Sequence, residues 1–211
     1  YRTYDRMVAE GKIDPEVWKK VVKHFLVAQI TLGDPQVELK IEEESAGSGG
    51  TAASGGIMVS PRPWGYGTIS LKPMETGYAS MTCAGLTALI VCESELLSAG
   101  KLDKMLAGDL LKSKREGLAY LQTAFSPRAS LPGSGFWSSF YHYYLYSVER
   151  VGVNYGMKRL GGHDWYLEGA QVLLDTQEKD GRWVGDEYYE IADTAFALLF
   201  LKRGTLRVFT K

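Results

Sequence analysis

Apolar side chains recur every three to four residues in three stretches of the chain, and each stretch ends in a glutamine. This spacing places the apolar side chains on one face of a helix. Asp14 followed by Pro15 marks the start of the first helix, because aspartate caps helix N-termini and proline fits the first helical turn. The pattern predicts three amphipathic helices, over 15–30, 105–123 and 163–178, which end near Gln29, Gln122 and Gln177.

Three further segments carry apolar or aromatic side chains on nearly every side. They predict helices over 77–98, 138–151 and 190–203. A helix that lacks a polar face is normally buried. We therefore expect these three inner helices to be more buried than the three amphipathic outer helices.

A glutamine and a tryptophan separate each outer helix from the inner helix that follows it. A glutamine amide can form hydrogen bonds to the backbone groups that are left unpaired at a helix end. A tryptophan ring can pack over the glutamine side chain. We expect these residues to be structural parts of a repeated helical hairpin. The pairs are Gln29 and Trp64, Gln122 and Trp137, and Gln177 and Trp183, the last with Gly181 in its turn.

The longest irregular stretch, 32–76, reads as an insertion into the first hairpin. Its centre, 45–56, has the composition of a flexible linker. It lacks the Gly-Lys-Ser/Thr ending of a phosphate-binding loop, so a nucleotide cradle is not indicated. Residues 37–41 alternate between apolar and polar side chains, which predicts a short strand.

Residues 1–211 are expected to form one domain. Residues 10–14 (EGKID) resemble residues 99–103 (AGKLD), and the second of these segments closes an inner helix. Residues 1–10 are then the tail of an earlier inner helix. The chain is therefore expected to begin within a repeat and to be a piece of a longer one.

Composition narrows the possible partners. The 24 basic and 25 acidic residues give a net charge of -1, which argues against a general nucleic-acid binder. No uninterrupted apolar run reaches the roughly 18 residues of a membrane span, so we expect no transmembrane segment. Two cysteines do not make a disulfide framework for a chain of this length.

The segment QEKDGRW (177–183) and the following DTAFALLFL (193–201) resemble the repeat motif of the terpenoid cyclase and protein prenyltransferase superfamily. In that superfamily, squalene–hopene cyclases repeat a Gln…Gly-x-Trp element before an inner helix. Segments 24–29, 80–86 and 163–174 are similar to bacterial proteins described as prenyltransferase and squalene oxidase repeat-containing. Many of those proteins have no assigned activity.

The resemblance implies an all-α fold, an α/α toroid in which inner helices form one ring inside a ring of outer helices. A full ring of six hairpins at about 45 residues each needs about 270 residues. Three hairpins therefore predict a partial toroid. Because an open arc exposes apolar surface, we expect missing N-terminal repeats or a protein partner to close it.

The resemblance also supplies a test for an acid catalyst. Squalene cyclases protonate their substrate from an Asp-x-Asp-Asp motif, which this chain lacks. The nearest candidates are Glu190 and Asp193, which share one face at the start of the last inner helix. Two neighbouring carboxylates raise the pKa of one of them and suit a general acid. Acidic residues are also common at helix N-termini for purely electrostatic reasons.

Protein prenyltransferases bind zinc through Asp, Cys and His, including an Asp-x-Cys pair that is absent here. Aligning the inner helices places Cys83, His142 and Asp193 near one rim, and these residue types suit zinc. Neighbouring helices stand about 8–10 Å apart, however, so the first and third helices are too far apart for one ion. We predict no metal and no cofactor.

The aromatic inner helix is the most suggestive feature. Terpenoid cyclases line their cavities with aromatic faces, which stabilise carbocations, whereas aromatic residues also simply fill cores. Two functions remain open: a binding or scaffold module for an isoprenoid, another apolar ligand or a protein partner, and a cyclase or prenyltransferase whose catalytic residues lie mainly outside this segment. The expected cavity residues are Trp137, Tyr141, Tyr143 and Tyr144, and Tyr146 shares a face with Tyr143.

Overall fold

The computed structural model describes residues 6–7, 9–11, 14, 16–33, 35–43, 56–66, 76–128, 140–185 and 189–203. Helices dominate this part of the chain, which agrees with the predicted all-α class. The six helices within it are α1 (Glu16–Ala28), α2 (Ala79–Ser98), α3 (Lys104–Ala124), α4 (Tyr141–Asn154), α5 (Trp165–Thr176) and α6 (Glu190–Lys202).

All six predicted helices are present, and their bounds agree with the predicted ones to within three residues. The largest difference is at α4, which continues past Gly152 to Asn154. Gly152 lies inside the helix because Trp165 packs against it: a Cβ atom there would lie 2.3 Å from the Trp165 ring. Gly152 therefore allows the Trp165 ring to lie close to the backbone of α4, and it does not end the helix.

Aspartate caps start two of the outer helices. The Asp103 carboxylate accepts a hydrogen bond from the Leu106 N–H at 2.9 Å, and the Asp164 carboxylate accepts one from the Leu167 N–H at 3.0 Å. Each bond satisfies a backbone donor that has no partner within the helix. The local sequence thus fixes where α3 and α5 begin.

The predicted inner helices α2, α4 and α6 form a row, with α4 packed between the other two. His142 meets Asp193 at the starts of α4 and α6, and Tyr146 meets Phe196 one turn later. These two helices therefore run in the same direction. Helix α2 is also packed against α1 and α3, whereas α5 lies against α4. One connected apolar core takes side chains from all six helices.

Four short strands accompany the helices in the described residues. They are β1 (Val37–Leu39), β2 (Ile41–Glu43), β3 (Ile57–Val59) and β4 (Met157–Leu160). Strands β1 and β3 pair antiparallel with Val37 opposite Val59, and β2 and β4 pair antiparallel with Ile41 opposite Leu160. The predicted strand over 37–41 is confirmed, although it divides between two sheets at Lys40. Strands β3 and β4 were not predicted.

The expected insertion, 32–76, supplies three of these strands. Its proposed flexible centre, 45–56, lies outside the described residues apart from Gly56. Arg62 anchors the far end of the insertion: its backbone N–H donates to the Glu116 carbonyl, and its guanidinium contacts the Glu116 carboxylate at 3.1 Å. The insertion therefore packs on α3.

The prediction that the inner helices are more buried than the outer helices holds for two inner helices and is wrong for the third. Helices α2 and α4 bury nine and ten residues, whereas α6 buries three of its thirteen. Ile191 is 89% exposed and Leu198 54% exposed on α6. No described helix covers that side of α6, so its apolar sequence does not produce burial.

Helix α2 is long and apolar enough to cross a membrane by length and composition. Of its most apolar 18-residue segment, 44% is buried inside the protein. A core helix passes the same test, because both are apolar on every side. The expected lack of a transmembrane segment therefore stays a prediction.

Candidate functional site

Two of the predicted Gln–Trp turns share one hydrogen-bond pattern. In the first turn, Gln29 Nε2 donates to the Arg62 carbonyl at 2.9 Å, and in the last, Gln177 Nε2 donates to the Gly181 carbonyl at 2.8 Å. Each acceptor lies two residues before the tryptophan of its turn. The glutamine amide bonds a backbone group, as predicted, but the expected acceptor at a helix end is wrong, because the acceptor carbonyl lies within the turn.

The two tryptophans are anchored in the same way. Trp64 Nε1 donates to the Phe25 carbonyl at 2.8 Å, and Trp183 Nε1 donates to the Leu173 carbonyl at 2.7 Å. Each acceptor lies four residues before the glutamine of its turn. Both rings are almost fully buried, so the predicted burial of Trp183 is confirmed.

A threonine on the following helix completes the pattern. The backbone N–H of Trp64 donates to Thr82 Oγ1 at 3.2 Å, and that of Trp183 donates to Thr194 Oγ1 at 3.1 Å. Thr82 on α2 is therefore the counterpart of Thr194 on α6. The sequence pattern of the two helices aligns residues 81–84 (MTCA) with 192–195 (ADTA) and so sets Cys83 opposite Thr194, which is wrong by one residue.

The middle turn differs. The Gln122 amide bridges the insertion instead, donating to the Glu38 carbonyl at 3.0 Å and accepting from the Lys40 N–H. These bonds hold the junction of β1 and β2 against the end of α3. Trp137, the expected partner of Gln122 and an expected cavity residue, lies outside the described residues.

The row of inner helices carries two apolar cavities. We call the first the rim cavity; it has a volume of about 450 Å³ and lies at the starts of α4 and α6. Its walls are aromatic and aliphatic apart from one carboxylate. They are formed by Tyr66, Met81, Phe140, Tyr143, Tyr189, Ala192, Asp193 and Phe196.

We call the second cavity the groove; it has a volume of about 430 Å³ and lies between α1, α2 and α4. Helix α2 contributes mostly small side chains to its lining, and α1 and α4 contribute the aromatic ones. Tyr143 lines both cavities, so they meet at that residue. The groove is formed by Trp18, Val21, Cys83, Ala84, Thr87, Ala88, Val91, Cys92, Tyr143, Tyr146, Ser147 and Arg150.

The tyrosines of α4 divide between two sides of the helix, as their spacing predicts. Tyr143 and Tyr146 line the groove, and both contact the Phe196 ring with centroid distances of 5.5 and 5.3 Å. Tyr141 and Tyr144 were expected on the cavity wall and are not there. The Tyr141 hydroxyl donates to the Pro127 carbonyl and the Tyr144 hydroxyl to the Ser126 carbonyl, and burial raises the pKa of both phenols.

A buried histidine and a buried carboxylate meet at the rim cavity. His142 Nδ1 lies 3.1 Å from Asp193 Oδ1, and both side chains are at most 5% exposed. The Gly185 N–H donates to Asp193 Oδ2 at 3.0 Å. A Cβ atom on Gly185 would lie 3.0 Å from His142 and 3.1 Å from Asp193, so a larger residue there would crowd the pair.

Burial lowers the pKa of His142, although the nearby Asp193 carboxylate opposes this effect. A buried imidazole loses the hydration that stabilises its charged form. The histidine is therefore neutral over most of the physiological pH range. A neutral imidazole retains one N–H and one unprotonated nitrogen, and the Nδ1 atom lies against Asp193 without a hydrogen bond of good geometry.

The proposed pair of carboxylates does not form. Asp193 is buried on the cavity wall, whereas Glu190 pairs with the exposed Arg182 guanidinium. The side chain of Glu190 is 41% exposed. Helical position alone placed the two acids on one face, but the ion pair with Arg182 draws Glu190 out to the solvent. Asp193 is the single acid that lines the rim cavity within the described chain.

Of the three metal-ligand candidates, the structure brings two together. His142 and Asp193 meet, because their helices are direct neighbours. Cys83 lies on the groove wall, where burial raises the pKa of its thiol. Across the described ranges, no three His, Cys, Asp or Glu side chains form a cluster that could hold a metal ion.

Comparison of the chain with known proteins and structures identified no relative. No family model matches the chain, and neither a curated protein nor a solved structure matches it. The geometry of the site therefore carries the functional conclusion.

Sequence reasoning missed several residues of the site. Phe196 and Tyr189 complete the aromatic wall of the rim cavity, and Arg150 lies at the far end of the groove. Phe196 could have been found, since it recurs three residues after Asp193 on the same helix face. Arg150 carried no signal beyond one charge at the end of an aromatic segment.

Proposed function

We propose that this protein is a helical-repeat module of the terpenoid cyclase and prenyltransferase type that binds an elongated apolar ligand. The two cavities that meet at Tyr143 carry this proposal. Their walls are aromatic and aliphatic, with few polar groups at defined places. Such a lining is typical of sites for small apolar molecules.

The shared hydrogen bonds support a repeat. Gln29 and Gln177, with the tryptophans and threonines that follow them, form the same three hydrogen bonds although their loops differ by 29 residues in length. A chance match of short segments does not reproduce acceptors at matching positions. Together with the row of inner helices, this favours an arc of a toroid.

The exposed side of α6 supports the need for a further hairpin. With Thr82 opposite Thr194, the exposed residues Ile191 and Leu198 correspond to Ala79 and Leu86 of α2. Both of those positions are fully buried. Helices α3 and α4 pack on α2, so we propose that a hairpin of the same kind, from missing repeats or a protein partner, packs on α6.

The rim cavity favours a second candidate, a cyclase or prenyltransferase type of enzyme. Asp193 lies on the cavity wall with aromatic rings around it; the Gly185 N–H donates to its Oδ2 atom, and His142 Nδ1 lies 3.1 Å from its Oδ1 atom. Acid-initiated chemistry requires a fixed carboxylic acid that faces the apolar substrate, donates its proton and remains as the carboxylate. The absence of an Asp-x-Asp-Asp motif in the sequence keeps ligand binding as our first proposal.

Native mass spectrometry of the full-length protein, with lipid extraction of the same preparation, tests the binding proposal. We expect one apolar molecule per chain, and chromatography of the extract identifies its class. A protein that remains empty after purification and after incubation with squalene or other apolar ligands would contradict the proposal.

Incubation with squalene and with prenyl diphosphates, followed by product analysis, tests the enzymatic candidate. A cyclised or transferred product that disappears in Asp193→Asn would establish catalysis at this helix end. Glu190→Gln is the matched control, because Glu190 lies nearby but pairs with Arg182. Unchanged substrates would leave ligand binding as the function.

A further inference from the structure

We propose that Arg150 makes the far end of the groove a binding site for an anionic head group. The ligand is then an elongated apolar molecule that ends in a carboxylate or a phosphate ester. This inference rests on the proposed binding function and adds the head group and the orientation of the ligand.

The groove runs along one side of α4. Tyr143, Ser147 and Arg150 line it and recur at helical spacing. Seven residues separate Tyr143 from Arg150, which corresponds to about 10 Å along the helix at a rise of 1.5 Å per residue. The rim cavity shares Tyr143 with the groove and has Asp193 on its wall, so a ligand that occupies both cavities is elongated, like an alkyl or isoprenoid chain.

Arg150 is the cation of the groove wall. Its Nη1 atom donates to the Tyr146 hydroxyl at 3.0 Å, and its guanidinium lies 5.7 Å from the centroid of the same ring. No carboxylate of the described residues lies within ion-pair distance of it. Because a guanidinium carries five N–H donors, several remain for a ligand.

Tyr146 fixes where these donors lie. Its ring is held by stacking on Phe196 at a centroid distance of 5.3 Å, and its hydroxyl holds one side of the guanidinium. Arginine forms paired hydrogen bonds to the oxygens of carboxylates and phosphates. A positioned guanidinium at the end of an apolar groove therefore suits an anionic head group.

The opposite end of the site sets the orientation. Asp193 places a carboxylate on the wall of the rim cavity, where a second anion would be repelled. The anionic head therefore lies at Arg150 and the apolar tail extends past Tyr143 toward the aromatic rim. The charges at the two ends exclude the reverse orientation.

Titration of the full-length protein with palmitate, hexadecyl phosphate and hexadecanol, each below its critical micelle concentration, tests this proposal. We expect at least one of the two anions to bind roughly tenfold more tightly than hexadecanol, a factor typical of a hydrogen bond to a charged group. The tighter of the two anions identifies the head group.

The variants Arg150→Gln and Arg150→Lys separate charge from shape. Arg150→Gln should abolish the preference for anions without weakening hexadecanol binding, and Arg150→Lys should retain part of it. Lys158→Gln, which removes an exposed charge on β4, is the control and should change nothing. Circular dichroism checks that each variant is folded.

Equal affinities of the wild-type protein for the anions and for hexadecanol would overturn the head-group site and leave the apolar-ligand proposal standing. An anion preference that survives Arg150→Gln would do the same. If none of the three molecules binds, the proposed binding function fails together with this inference.

Discussion

The indole N–H of Trp183 donates a 2.7 Å hydrogen bond to the backbone carbonyl of Leu173, near the end of α5. Trp64 makes the same bond to the end of α1. In these two turns, the tryptophan thus joins the turn to the preceding helix, while its backbone N–H contacts a threonine of the following helix. A single residue fixes the mutual position of three segments.

Trp183→Ala should lower the free energy of unfolding by about 3–5 kcal/mol, because a fully buried aromatic ring leaves a cavity. Trp183→Phe keeps most of the packing but removes the indole donor from the Leu173 carbonyl, and should cost about 1–3 kcal/mol. Urea unfolding of both variants measures the two effects. A loss below 1 kcal/mol in Trp183→Ala would show that the turn does not join the hairpin.

Gly85→Ala should destabilise the protein by about 1–3 kcal/mol, a typical cost of an overpacked core. A Cβ atom at Gly85 would lie 2.5 Å from the Trp64 ring. Gly108→Ala is the matched control inside α3, since no atom lies within 4 Å of its Cβ position. That change should stabilise by about 0.5–1 kcal/mol. Thermal unfolding distinguishes them by sign.

Leu86→Glu and Leu198→Glu test the correspondence between α2 and α6. Leu86 is fully buried, so an unpaired charge there should unfold the protein or cost several kcal/mol. Leu198 is 54% exposed, so its variant should change the stability of this chain by less than about 0.5 kcal/mol.

The same Leu198→Glu variant should abolish any association through α6. Native mass spectrometry of the full-length protein, with and without the substitution, measures it. An assembly that survives the substitution would show that α6 does not form the interface.

The free energy of unfolding should fall as the pH decreases below about 6.5, which is the ordinary pKa of a histidine side chain. Burial lowers the pKa of His142 in the folded protein, so below that pH the unfolded chain binds the proton first. Stability from the neutral imidazole is thus present above pH 6.5 and lost on acidification. Urea unfolding from pH 5 to pH 8 should show a smaller slope in His142→Gln. Identical slopes would contradict the assigned burial.

The periodicity of apolar side chains was sufficient to locate the helices, because each amphipathic or apolar segment is long and is bounded by residues that end a helix. It did not predict the burial of α6, since burial depends on which neighbours exist and not on the apolar sequence alone. From the apolar sequence alone, Ile191 and Leu198 are therefore expected in the core, although both are exposed. Strand β4 was missed because MKRL has no strong alternation, and its pairing with the distant β2 stabilises it.

The candidate site was predicted in part. Helical spacing separated Tyr143 from Tyr144 correctly, but it could not say which side faces the cavity. Asp193 was found as a candidate from its helical position, whereas its contact with His142 required the neighbouring helices to be placed side by side. Cys83 does not join His142 and Asp193, because α4 lies between α2, which carries Cys83, and α6, which carries Asp193.

Titration of the full-length protein with a fluorescent apolar probe, in the wild type and in Ala88→Trp, tests the central claim most directly. Ala88 lies on the groove wall, so a tryptophan there should fill the groove and abolish binding. Ala99→Trp, at the exposed end of the same helix, should bind as the wild type does. We predict saturable binding of one probe per chain that is lost only in Ala88→Trp. Absence of binding to the wild type, or equal binding to all three proteins, would contradict a ligand-binding cavity between the inner helices.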